Sequence, residues 1–138
     1  MNPIKKLDIE MGEKNEKKII GLCKKYFGLD KLEKTPPSHP FDFVQKDTIP
    51  TYIEVKSRRC SKSKYLDTMV GHNKIKWLES NPYANVYFVF VFEDGNYYYK
   101  YIKSDDECDV RFGGRWDRGK VEKKLYYYIP THKLKFLM

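Results

Sequence analysis

Ile53-Glu54-Val55-Lys56-Ser57-Arg58 is the stretch on which the fold turns, because it sets an acid and a base two residues apart inside an apolar, β-branched run. On a strand successive side chains point to opposite faces, so Tyr52, Glu54 and Lys56 share one side while Ile53 and Val55 share the other. Glu54 and Lys56 then stand roughly 7 Å apart at the backbone. Just upstream, residues 41–44 form a second strand-like run, and the turn-rich residues 45–51 join it to residues 52–56 as an antiparallel hairpin. Alternation in the first strand puts Asp42 with Val44 and turns Phe41 and Phe43 the other way. Across such a ladder Asp42 can stand about 5 Å from Glu54, close enough for one divalent cation to bind both carboxylates.

Two adjacent carboxylates raise each other's pKa unless a positive charge sits between them. A hard cation supplies that charge. Mg2+, with Mn2+ as a substitute, prefers oxygen ligands, keeps several waters and bridges to phosphate oxygens, which suits phosphodiester cleavage by water. Lys56, on the same face, can orient or help deprotonate the attacking water and offset charge on a pentavalent phosphorane. The competing reading is an exposed hairpin with a cross-strand salt bridge, which contributes little by itself.

Outward from the hairpin, Ile19, Ile20, Cys23, Tyr26 and Phe27 fall at helical spacing and predict a helix over residues 12–27, stopped by Gly28. Glu16 lies on its apolar stripe with Ile20, Cys23 and Phe27 and should face inward. Either it reaches the metal cradle, or the helix starts late and Glu16 favours its N-terminal dipole. Glu13 competes for the same role. A second helix is expected over residues 63–79, weakened by Gly71 and stopped at Ser80-Asn81-Pro82. Residues 85–92, apolar on both faces, read as a strand buried in mid-sheet, and the turn Asp94-Gly95 leads to a hairpin partner over residues 97–102. Residues 125–129 add an edge strand before Pro130, and residues 113–119 form an exposed loop. The order α-β-β-α-β-β describes an α/β (α+β) fold, a mixed central sheet flanked by helices.

A length of 138 residues is that of one domain, here residues 1–138. The 41% hydrophobic and 16% aromatic content excludes a disordered tail, and mean hydropathy of -0.73 excludes an integral membrane protein. With neither a spanning segment nor an apolar leader, an intracellular location, cytoplasm or nucleus, is expected, with no export. The net charge of +8 attracts polyanions, nucleic acid being the commonest. Cys23, Cys60 and Cys108 are an odd set without CxxC spacing, and read as structural thiols.

Glu16 in an opening helix, then Asp42, then Glu54-Val55-Lys56 resembles the PD-(D/E)XK nuclease superfamily, which includes restriction endonucleases and Holliday junction resolvases. The resemblance spans about residues 12–92, and helix, hairpin, helix, strand is the order of that family's core. It implies a restriction-endonuclease-like fold and a Mg2+-dependent nuclease. Asp42, Glu54 and the Val55 backbone carbonyl would bind metal, Lys56 would assist the water, and Glu16 would support the metal or water shell. One departure stands out: Phe41 separates Pro40 from Asp42, which bears on the register of Asp42.

The substrate expected is DNA, duplex or branched, with RNA as the alternative polyanion. Arg58, Arg59, Lys62 and Lys74 can neutralise phosphates beside the scissile bond. In the glycine-rich loop Arg115 and Arg118 can hold phosphate while Trp116 stacks on a base. The tyrosines of residues 97–101 and 126–128 read as sheet packing, and His39 and His72 as ordinary polar groups. The rival class is a non-catalytic DNA- or RNA-binding module on the same fold, which would not need a carboxylate pair beside a polyanion. Junction resolution or restriction-type cleavage would call for a homodimer.

Overall fold

The computed structural model describes residues 3–113 and 124–138, and within the first helix the side chains of Glu10, Lys14 and those from Glu16 onward. Glu13, Arg115, Trp116 and Arg118, singled out from the sequence, lie outside the side chains so described. Helix α1 (Pro3–Tyr26) begins well before residue 12, because proline is tolerated in a first turn and residues 4–11 contain no breaker. Ile19 and Cys23 are its buried stripe. It stops where Leu29 N–H donates to Lys24 C=O and Gly28 takes a positive φ of 66°, a conformation that costs glycine little.

Strands β1 (Glu33–Lys34) and β2 (Phe43–Gln45) lead antiparallel into β3 (Thr51–Ser57). A 3-10 turn (Lys62–Lys64), β4 (Asp67–Gly71) and α2 (His72–Ser80) then carry the chain over to β5 (Asn85–Phe92), which pairs parallel with β3. β6 (Gly95–Lys100) returns antiparallel, followed by β7 (Asp109–Gly113), β8 (Lys124–Pro130) and β9 (Lys135–Phe136). Six strands form one mixed sheet in the order β1-β2-β3-β5-β6-β9, and three form a second, β4-β8-β7. The apolar run of residues 85–92 does lie in mid-sheet, between β3 and β6.

Helix α1 covers one face of the large sheet, where Ile19 and Cys23 pack on Phe43, Ile53 and Val89. The other face is covered by α2 and the small sheet, where Ile75, Leu78, Val70, Tyr127 and Ile129 meet Val86, Phe88 and Phe90. The strand alternation therefore puts Glu54 on the α2 side, opposite Phe88 in the β3–β5 register. Among the described residues no helix is long and apolar enough to cross a membrane.

The helix expected over residues 63–79 is corrected. Only residues 72–80 are α-helical, and residues 67–71 are strand, because Thr68 and Val70 bury alternately with a period of two and pair with Ile129 and Tyr127 of β8. Gly71 does not weaken a helix; it is the extended N-cap of α2. Residues 125–129 are not an edge strand either, since β8 lies between β4 and β7. The fold is α+β with a mixed central sheet, as expected, and the order α-β-β-α-β-β survives as α1, β2, β3, α2, β5 and β6 within a longer series.

The first hairpin strand also starts later than expected, at Phe43, and Phe41 and Phe43 do not share a face. Phe41 turns to the α2 side against Tyr52, Trp77 and Phe88, while Phe43 faces α1. The residue inserted between Pro40 and Asp42 is thus an anchor, 1% exposed, that fixes the chain one position before the aspartate. Phe41→Ala is expected to destabilise the fold by about 3–5 kcal/mol, the range for truncating a buried phenylalanine, as read by urea unfolding. A loss below about 1 kcal/mol would mean that Phe41 does not anchor this segment.

Candidate active site

Three elements converge on Glu54. β3 points its carboxylate toward α2, where it is 3% exposed. From the same strand, Lys56 Nζ lies 3.3 Å from Glu54 Oε1. From α2, Lys74 Nζ lies 3.6 Å from Glu54 Oε2 and also donates to the carbonyl of Pro40. The Lys74 side chain is only 13% exposed. It is the residue whose role the sequence reading missed, having been assigned to a phosphate-facing surface. The signal was there: Lys74 and Trp77 form one i, i+3 row of α2, and Trp77 packs on Phe41, Tyr52 and His39 beside the hairpin.

Asp42 immediately precedes β2, whose pairing with β3 ends at Phe43 opposite Ile53, and its charge acts on Glu54. Its N–H donates to Ile53 C=O, and its Oδ2 accepts the Val55 N–H at 2.7 Å. The side chain thereby stands in for a strand partner where β2 has not yet begun. The N–H and C=O of one strand residue point to the same edge, so the Val55 carbonyl faces the Asp42 side too. Glu16 comes from α1, in mid-helix, which removes the first-turn reading. Its Oε2 accepts from Lys34 Nζ of β1 at 2.6 Å, and its charge acts on Asp42.

Burial pushes the Glu54 carboxyl up to about 7, helped by the charge of Asp42 and opposed by Lys56 and Lys74. Burial also raises Asp42, the Val55 N–H lowers it, and Glu16 raises it. Glu54 Oε2 has no hydrogen-bond partner. A buried carboxylate oxygen without one is costly, and a cation satisfies it. The oxygens of Asp42, Glu54 and Val55 are hard donors, and Mg2+ commonly takes one or two carboxylates and completes its shell with water. This donor set fits such an ion. Among the described residues no three His, Cys, Asp or Glu side chains gather into a closed cage, so Glu16 stands further out, with Lys34.

A pH dependence follows. A carboxyl raised in the folded state binds more protons there than in the unfolded chain, so stability declines as pH rises from about 4.5 to about 7. Without divalent metal, the melting temperature of Glu54→Gln is expected to lose that decline relative to the parent chain between pH 5 and 8. Parallel curves for the two proteins would show that Glu54 titrates normally.

The other candidates are placed less centrally. Arg58 crosses from the end of β3 to β4, with Nε donating to Thr68 Oγ1 and a terminal nitrogen to Met69 C=O. Arg59 is exposed. The Lys62 ammonium lies over the Tyr97 ring. His39 stacks on Tyr52 and accepts the Phe41 N–H at Nδ1, a packing role.

A mixed sheet with an acid, acid, lysine cluster at the frayed end of its hairpin is the arrangement of a PD-(D/E)XK nuclease. Residues 9–135 match the family described as "Phage putative PDDEXK endonuclease", and the chain belongs to that family. No protein with a curated description matches it. Its structure is similar to that of Hjc, a Holliday junction resolvase from the archaeal hyperthermophile Archaeoglobus fulgidus. That similarity has a TM-score of 0.43 and 13% identity, over 80% of this chain and 85% of the other.

Proposed function

We propose that residues 1–138 act as one catalytic domain, a divalent-metal-dependent endonuclease that hydrolyses phosphodiester bonds of DNA. Asp42, Glu54 and the Val55 carbonyl hold Mg2+, with Mn2+ able to replace it, and Glu16 supports the surrounding shell. The observation that carries this reading is the buried Glu54 carboxylate beside Lys56 and near Asp42, whose Oε2 accepts no hydrogen bond. When bound, the ion polarises a phosphoryl oxygen and acidifies water.

The chain's own residues do the rest. Lys56, tethered to Glu54 and 37% exposed, reaches from the buried carboxylate toward solvent, where a phosphate and its attacking water are accessible. Its ammonium orients that water and offsets negative charge as the water oxygen bonds to phosphorus and one ester oxygen leaves with a proton. Lys74, locked to Pro40 and Glu54, holds the carboxylate in place. Arg58, Arg59 and Lys62 follow β3 directly and, with Arg115 and Arg118, neutralise flanking phosphates. Cutting both strands at one locus would require two copies.

Labelled duplex, single-stranded and four-way-junction DNA, incubated with Mg2+, Mn2+ or EDTA, test the reading. Products that form with either metal and vanish with EDTA sustain it. Binding of all three substrates without cleavage would instead favour a non-catalytic module.

A further inference from the structure

Beyond the end of β3, on the same face as Glu54 and Lys56, lies a cavity of about 270 Å³ that the catalytic cluster does not use. Its walls are mainly apolar and aromatic: Cys60, Tyr65, Met69, Phe92 and Tyr128, with Lys62 at the rim. Arg58 also lines it, two residues past Lys56, so it opens roughly 7 Å along the strand from the catalytic lysine. Tyr65 at its mouth is 60% exposed, and the adjacent Leu66 is 91% exposed. Large apolar side chains left in water beside a basic rim mark a surface that meets a ligand.

The threonine hydroxyls in this wall are already engaged. Thr68 Oγ1 accepts from Arg58, and Thr131 Oγ1 donates to the carbonyls at Tyr65 and Leu66. With the Asp67 carboxylate engaged by Arg111 as well, the cavity presents mainly aromatic surface beside the positive charges of Arg58 and Lys62. Such a site stacks a flat ring and does not read its edge, which is how sequence-tolerant sites hold unpaired bases. A base inside a duplex cannot enter it without leaving the stack.

We propose that this cavity binds an unpaired nucleobase next to the scissile phosphate, so that the preferred substrate is DNA with single-stranded character at the cut. The inference rests on the nuclease reading for its catalytic consequence, but the pocket itself is tested by binding. Tyr65 is exposed, its backbone carbonyl accepting from Thr131 and its ring lying under the exposed Lys64 ammonium, so its side chain can be replaced without loss of structure.

Two readouts on the full chain decide the matter. The first is cleavage with Mg2+ of a perfect duplex and of the same duplex carrying an unpaired flap. The flapped DNA should be cut about tenfold faster, Tyr65→Ala should erase that margin while leaving duplex cleavage unchanged, and Tyr65→Phe should restore it. The second is modification of Cys60 by a small methanethiosulfonate in EDTA, Cys23 and Cys108 being buried. A single-stranded oligonucleotide should slow it several-fold and a blunt duplex should not, with Cys60→Ser identifying the labelled thiol. Equal cleavage of both DNAs with no protection of Cys60 overturns the pocket while leaving the nuclease intact. If the chain cuts nothing, the nuclease reading falls, and Cys60 protection alone then sustains or overturns the pocket.

Discussion

Glu54→Gln is expected to lower metal-dependent DNA cleavage by about 10³-fold while leaving the fold intact. Glutamine keeps the volume of the side chain and leaves a polar oxygen beside Lys74, so the buried lysine is not left facing an apolar void. What it loses is the charge that would hold a cation at Glu54 Oε2, the oxygen that accepts no hydrogen bond. Glu54→Ala should be as inactive and also less stable, because it strands Lys74 in a buried position. Single-turnover cleavage and thermal unfolding, measured on both variants, separate the two effects. An active Glu54→Gln would remove Glu54 from the chemistry.

Lys56→Ala is expected to cost about 10²- to 10⁴-fold in the same assay, with substrate binding largely kept. The lysine is more than a third exposed and contributes little to stability, so its loss should be read almost wholly in rate. Lys56→Arg tells apart the two things Lys56 can do. Arginine keeps the positive charge but does not give up its proton. Substantial rescue would assign Lys56 to charge stabilisation, and no rescue would assign it to handling the proton of the attacking water.

Much of this arrangement is legible in the residues, for definite reasons. Residues 85–92 are apolar on both faces, and only a strand covered on both sides tolerates that; β5 has these bounds. The alternation of Ile53, Glu54, Val55 and Lys56 by itself places acid and base together on one face, and β3 keeps them so. What was not legible depends on distant partners. β4 was hidden because Thr68 and Val70 are strand residues only against Ile129 and Tyr127 of β8, about sixty positions away by the register. β7 was hidden because its side chains are largely exposed and carry no buried alternation.

Within the site, the opposite turns of Phe41 and Phe43 follow from where β2 begins, which local propensity does not decide. The inward orientation of Lys74 depends in the same way on where α2 begins. Once the helix starts at His72, the buried pair Ile75 and Leu78 fixes its face, and Lys74 is carried to Glu54. A lysine on such a face looks like any solvated basic residue until its partner is known.

Calorimetric titration of Mn2+ into the metal-free chain at pH 8, beside Asp42→Asn and Glu54→Gln, tests the central claim most directly. The account predicts that the parent chain binds the ion and that each variant loses about tenfold or more in affinity, since each gives up one of two charged ligands. Undiminished binding by both variants would place the metal elsewhere and contradict a catalytic centre at Asp42 and Glu54.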